Sequence, residues 1–194
     1  HDVYTFESVR QRRFEQYCQP WIPSEGFPAR RELGGGTEVV LLSTVRANFV
    51  SSKGEMGLAA ITSAGELIRG CEPGPVLVFG HYPLLDETDG YTLTKNRRMV
   101  GAARLRQTMA ETGREILYVA GHVHRHSSAQ DPEYPNLHHV TSPALFNHWG
   151  PVRRYGGFLE IKASTGDIEV RHHWKEGWQR PLRLSCPHCR AIVC

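Results

Sequence analysis

The sequence predicts an α/β fold, an α/β sandwich. Three observations carry that reading: short apolar runs of strand length, amphipathic helical stretches between them, and a closing pair of segments that alternate apolar and charged residues. Residues 3–18 read as an amphipathic helix, with Phe6 and Val9 three apart and Phe14, Tyr17 and Cys18 at helical spacing, ended by Pro20. A loop rich in Pro and Gly follows to Gly34-Gly35-Gly36, which reads as connector. Residues 38–44 (EVVLLST) read as a buried strand. Residues 60–69 read as a helix with Ile61, Ala64 and Ile68 on one face and Gly70 as its stop. Residues 76–79 form a short apolar strand. Residues 99–112 form a helix with Ala102, Leu105 and Met109 in register, and residues 116–120 another apolar strand. His138 and His139 fall in a further strand before Thr141-Ser142-Pro143. At the end, residues 157–163 and 168–174 alternate around a Ser164-Thr165-Gly166-Asp167 turn, which is a hairpin with one wet face.

Composition bounds the function. The chain has 194 residues, 40% of them hydrophobic, enough for one compact core. Its 23 basic and 20 acidic residues nearly balance, which argues against a dedicated nucleic-acid or membrane surface. No apolar run approaches the roughly 18 residues of a membrane span. Five cysteines, three of them in the last nine residues, do not read as a disulfide framework, so the expected compartment is the reducing cytoplasm. No internal repeat is present, and eleven histidines are the unusual feature.

Two segments echo each other. Residues 76–81 are an apolar strand ending in Gly80-His81, and residues 117–124 are a second one ending in Gly121-His122-Val123-His124. With one helix between them they form a strand–helix–strand unit with parallel strands. Such strands bring their carboxyl ends to one edge of the sheet, where open α/β folds bind ligands. The histidines after both glycines are therefore expected to converge. Imidazole, neutral near pH 7, ligates zinc, iron or manganese. Residues two apart in extended backbone point the same way, so His122 and His124 would each reach one of two neighbouring metals. A glycine before each histidine is expected to supply a sharp turn. Two ions roughly 3.5–4 Å apart can hold a hydroxide and neutralise phosphoryl oxygens.

These residues carry a resemblance. Gly80-His81-Tyr82-Pro83-Leu84 resembles the G-H-x-P segment of calcineurin-like metallophosphoesterases, and Gly121-His122-Val123-His124 matches their G-H-x-H motif. The likeness runs to about Trp174 and is strongest to the cyclic-nucleotide-phosphodiesterase-like subgroup. Residues 42–48 look like the segment after that family's central strand. The resemblance implies a metallophosphoesterase-type αββα sandwich, of which this chain would be the C-terminal part. It also implies a dinuclear centre of divalent or trivalent manganese, iron or zinc, with His81, His122 and His124 as ligands, and a small phosphate-ester substrate. The family's third motif is G-N-H-[DE] followed by a helix, and this chain opens His1-Asp2 before its first helical stretch. By resemblance the sequence begins within that motif, His1 protonates the leaving oxygen, and Asp2 stands behind it. The family's D-x-H and G-D-x-x-D motifs have no counterpart here, so the fragment alone is expected to be weakly active or inactive. The competing reading is a catalytically silent member of the same fold that serves as a protein-binding scaffold.

Other residues are placed more simply. Asn147 and His148 read as loop packing, His126 as exposed, and Lys95-Asn96-Arg97-Arg98 as a solvated flank. The domain is expected to span 1–176 and a tail 177–194. In that tail Cys186, Cys189 and Cys194 supply too few ligands for a structural zinc, which needs about four.

Overall fold

The computed structural model describes residues 16, 18–33, 37–44, 54–85, 99–124, 126–143, 146–147, 154–155, 157–164, 166–174, 177–178 and 181–185. Most of the helix expected over 3–18, along with His1, Asp2, residues 95–98, His148, Cys186, Cys189 and Cys194, lies outside them.

A six-stranded sheet forms the centre. Its strands are β1 (Ala29–Leu33), β2 (Thr37–Leu41), β3 (Val76–Phe79), β4 (Ile116–Ala120), β5 (Ser127–Gln130) and β6 (Leu137–Thr141), in spatial order β1-β2-β3-β4-β6-β5. The inner pairs β2·β3, β3·β4 and β4·β6 are parallel, while β1 and β5 close the two edges antiparallel. Strands β3 (VLVF) and β4 (ILYVA) are apolar along their length because both of their faces are covered. Period-two alternation sorts those side chains. Val40, Val76, Val78, Ile116, Tyr118 and Leu137 face helices α1 (Leu58–Arg69) and α2 (Ala102–Ala110). Val39, Leu77, Leu117, Val119 and Val140 face a second sheet.

That second sheet is built around β10 (Asp167–Trp174). The strand pairs with β9 (Phe158–Ser164) on one side and with β11 (Gly177–Trp178) and β12 (Leu182–Ser185) on the other, all antiparallel. Its Ile168, Val170 and Leu184 complete the inter-sheet core. Two further short strands, β7 (Phe146–Asn147) and β8 (Arg154–Tyr155), pair with each other. The described layers are thus helix, sheet, sheet. No helix among the described residues is long and apolar enough to cross a membrane.

The helices follow their sequence. In α1 the buried Ile61, Ala64 and Ile68 recur at three and four, and Gly65 lies among them. A Cβ on Gly65 would come within 2.6 Å of the Thr108 Cγ2 on α2, so glycine permits the close helix–helix approach. In α2, Leu105 and Met109 are fully buried, each worth about 2 kcal/mol in apolar transfer.

Strand β1 was expected to be loop, and the difference has a physical reason. Its sequence ARREL offers no apolar alternation, and only Ala29 is buried. It is an edge strand whose charges discourage further pairing. Strand β12 falls in the segment assigned from sequence to the tail, yet Leu184 packs in the inter-sheet core and the strand pairs with β10 over residues 167–170.

A buried polar network ties α2 to the β5–β6 turn. The Asp131 carboxylate, with no exposed side-chain surface, accepts from Arg106 Nε at 2.7 Å and Nη2 at 2.6 Å. It also accepts from the backbone N–H groups of Glu133 and Tyr134, at 3.0 and 3.2 Å, and from His139 Nε2–H at 2.8 Å. Burial would raise the carboxyl, but Arg106 and these donors outweigh it and hold Asp131 at about 2, below the ordinary 3.8. Burial pushes His139 down from 6.5 to about 4, against the pull of Asp131, so it is a neutral donor in the folded protein.

Both folded-state values lie below the unfolded ones, so the stability these groups confer is full at high pH and lost as pH falls. We expect the melting temperature to hold above about pH 6.5 and to decline from 6.5 toward 4 as the unfolded state takes up the proton that His139 refuses. A second decline between 3.8 and 2 follows from Asp131. His139→Gln keeps a donor to Asp131 and removes the titration. Denaturant unfolding against pH should then lose up to about 1.4 kcal/mol per pH unit of slope in the upper window. Arg106→Ala, which leaves the buried carboxylate without its cation, should cost about 3–5 kcal/mol at pH 7 in the same measurement.

Candidate metal centre

The parallel register of β3 and β4 sets the site. Val76 to Phe79 lie opposite Ile116 to Val119, so both strands run out at the same edge. Hydrogen bonding continues past their ends: Gly80 N–H donates to Val119 O at 3.0 Å and Gly121 N–H to His81 O at 3.1 Å. Here His81 and His122 meet, with ring centroids 5.2 Å apart and planes at 70°. Tyr82 stacks behind them, its ring 4.1 Å from that of His122 and 5.1 Å from that of His81.

Thr44 anchors the first of these loops. It is fully buried just beyond β2, and its Oγ1 accepts the backbone N–H of His81 at 2.8 Å and of Tyr82 at 3.2 Å. The Tyr118 hydroxyl, buried in β4, donates to Tyr82 O at 2.7 Å. Tyr118 also explains Gly80. A Cβ at that position would run into the Tyr118 hydroxyl and lie 3.0 Å from Thr44 Cγ2, so no larger residue fits.

The expected backbone geometry needs correction. Neither Gly80 nor Gly121 has a positive φ; the positive values belong to the histidines themselves, +67° at His122 and +56° at His124. Val123 N–H donates to Gly121 O at 2.8 Å, which closes a γ-turn around His122. The pair is therefore not extended, and the argument that residues two apart point alike does not apply to it. The glycines serve close approach, and the histidines carry the turn. A non-glycine residue at positive φ stores strain, and such strain clusters at functional sites.

Sequence reasoning put His81, His122 and His124 at one edge, and the structure brings the first two rings together. Among the described residues no group of three His, Cys, Asp or Glu side chains is gathered closely enough to hold a metal ion. A tetrahedral site with three protein ligands and a water needs more than the His81–His122 pair. Imidazole nitrogens of this kind suit zinc, iron or manganese, but as part of a ligand set. His1 and Asp2 lie outside the described residues.

Sequence reasoning missed Thr44, Tyr82 and Tyr118, which position His81. The signal for Thr44 was its place at the end of an apolar run. It also misplaced His126, read as exposed. His126 is half-buried, its Nδ1 lies 3.2 Å from Thr141 O, and its ring is 4.1 Å from that of the buried His172. Burial first, and His172 second, lower its pKa.

A sheet with parallel central strands, layered on a second sheet and carrying histidines at its carboxyl edge, is in part a metallophosphoesterase-type fold. One solved structure bears this out: a dimetal phosphatase from Danio rerio is similar to this chain with a TM-score of 0.58 and 11% sequence identity, over 81% of this chain and 60% of that one. The chain thus spans less than two thirds of that phosphatase's length. A single mutant of Vps29 from Entamoeba histolytica matches over 76% of this chain and 98% of its own, at 9% identity and a TM-score of 0.29. No family model matches the chain, and neither does any curated protein.

Strain at His124 is measurable. An L-residue with a Cβ loses about 1 kcal/mol or more relative to glycine at this φ. His124→Gly should therefore be about 1 kcal/mol more stable than His124→Ala in urea unfolding, the reverse of their order in an ordinary loop or helix. Thr44→Val, which leaves two buried N–H groups without an acceptor, should cost about 2–4 kcal/mol by the same method.

Proposed function

We propose that this chain belongs to the calcineurin-like metallophosphoesterases and contributes part of a dinuclear centre that hydrolyses a small phosphate ester. The convergence of the His81 and His122 rings at the carboxyl edge of parallel strands, in a fold similar to that of a dimetal phosphatase, is the observation that supports this reading. Two ions of manganese, iron or zinc would supply positive charge to the phosphoryl oxygens and acidify a water.

The chain's own residues have separate tasks in this reading. His81, His122 and His124 offer imidazole lone pairs. The ladder from Gly80 and Gly121 and the buried Thr44 hold the backbone that carries the first two in place. His1 gives its proton to the departing alcohol oxygen, and Asp2 orients its ring. Carboxylate ligands come from outside the described residues. The domain carrying the site spans 1–176 in this reading, with 177–194 as its extension. The compartment is the cytoplasm.

A second reading, a silent scaffold of the same fold that binds protein, is favoured by the lack of any gathered group of three ligands among the described residues.

Hydrolysis of bis-p-nitrophenyl phosphate separates the two, measured with and without manganese on the longest gene product that contains these residues. Metal-dependent turnover is expected. It should fall to background in His122→Ala and by about 100-fold in His1→Ala. Absence of turnover with manganese in the folded protein would favour the scaffold, and turnover that does not depend on metal would overturn both readings.

A further inference from the structure

Three rings meet at the carboxyl edge, and Tyr82 touches both of the others. It lies edge-on to His81, with ring centroids 5.1 Å apart and planes at 81°, and across His122 at 4.1 Å and 37°. The two imidazoles are themselves 5.2 Å apart at 70°. Edge-to-face and offset arrangements at these separations are favoured aromatic geometries. Each ring therefore limits how far the other two can turn.

Tyr82 is itself fixed by three separate segments of chain. It is 1% exposed. Its N–H donates to Thr44 Oγ1 at 3.2 Å, and its carbonyl accepts from the Tyr118 hydroxyl at 2.7 Å. Its ring rests on Gly54, where an added Cβ would come 2.5 Å from Tyr82 Cδ2 and 2.6 Å from Cγ. Gly54 is fastened in turn. Its carbonyl accepts Val100 N–H at 2.8 Å, and the next residue, Glu55, donates its N–H to Thr44 O at 3.1 Å. A glycine is required here for close approach of backbone to ring.

We propose that Tyr82 is a positioning residue of the candidate centre and that Gly54 seats it: the phenol ring, pressed on the Gly54 backbone, holds the imidazole planes of His81 and His122 in advance of metal binding. The contact answers a need specific to this edge. His122 sits at φ +67° in a turn closed by Val123 N–H on Gly121 O. That turn sets its backbone and leaves its side-chain torsions open. An imidazole free to rotate loses conformational entropy when it binds an ion, and the loss weakens binding. A ring already packed against it removes that loss from the binding step. The same ring braces His81 from its edge, so one side chain orders two candidate ligands.

The proposal rests on the phosphoesterase reading of this edge, and the test keeps the two apart. It uses the same gene product as the hydrolysis assay. In the metal-free protein the carbon-bound ring protons of His122 should show the upfield nuclear magnetic resonance shift of protons held against an aromatic face. Tyr82→Leu should abolish that shift and Tyr82→Phe should keep it. Manganese affinity by calorimetry should fall about tenfold in Tyr82→Leu, the effect of ordering rings no longer held in advance, and return in Tyr82→Phe. Gly54→Ala, which pushes on the ring and alters no imidazole, should weaken manganese binding in the same direction. The manganese concentration for half-maximal hydrolysis should rise in step, with kcat at saturating metal near the wild-type value. Ile68→Ala, at a fully buried position in the last turn of α1, should lower the melting temperature and leave manganese affinity unchanged. If it weakens binding as much as Tyr82→Leu does, or if Tyr82→Leu binds manganese as the wild type does, this proposal alone falls. A wild-type chain that binds no manganese would sink the phosphoesterase reading and this proposal with it.

Discussion

The pairing of β3 with β4 is the constraint from which the rest of the molecule follows. Because the two strands are parallel and in register, their ends coincide, and the two glycines extend the ladder one step beyond. A one-residue slip of β4 against β3 would turn Ile116 and Tyr118 from the helices toward the second sheet, and Leu117 and Val119 the other way. Both faces are apolar, so hydrophobicity alone would tolerate that exchange. Shape and hydrogen bonding do not. The Tyr118 hydroxyl must reach Tyr82 O, and only a glycine at 80 lets it pass. One buried phenol thus fixes the register that aligns His81 with His122.

The edge carries a cost that the core offsets. Positive φ values at His122 and His124 are unfavourable for residues with a Cβ, and they follow directly on the most deeply buried strand of the sheet. Strain persists only where its surroundings over-determine it. Here the surroundings are the Gly121–His81 bond, the turn closed by Val123, and the Tyr82 ring against His122. Stability and function pull in opposite directions at these two positions, since relaxing the backbone would favour glycine and discard the imidazole.

Much of this was legible in the sequence. The spans of β3 and β4 could be read to the residue, because fully buried parallel strands leave an unbroken apolar signature bounded by Gly and Pro. Both helices and the β9–β10 hairpin carried clear periods. What escaped was of a different kind. Strands β1 and β5, ARREL and SSAQ, are edge strands made by pairing and not by hydrophobic pattern, so nothing in their composition announces them. The backbone of His122 and His124 escaped for a related reason. Glycine is where sequence reasoning looks for positive φ, and here the glycines were needed for clearance instead. The contact of His126 with His172 joins residues 46 positions apart in different sheets, and no local spacing encodes it.

Histidine placement connects these threads. Along β6, Thr141 lies opposite Ala120, the last residue before Gly121, and Ser127 lies opposite Thr141, so His126 starts from the same edge as His122. The two differ in the face they serve. Tyr82, against which His122 stacks, belongs to the helix-side core, whereas His126 turns into the inter-sheet space beside Val140. His139 lies a third way, on the helix side of β6, where burial first, and the nearby Arg106 charge after it, hold it neutral against the pull of the Asp131 carboxylate it donates to. Imidazole suits such settings because it is a flat aromatic ring that stacks on its neighbours and offers a directed nitrogen. A lysine or carboxylate in any of them would need a counter-charge, and among the described residues the Asp131 network supplies one beside His139. At the rim of an apolar sandwich, where His122 and His126 lie, a polar group that can be neutral is the least costly to place.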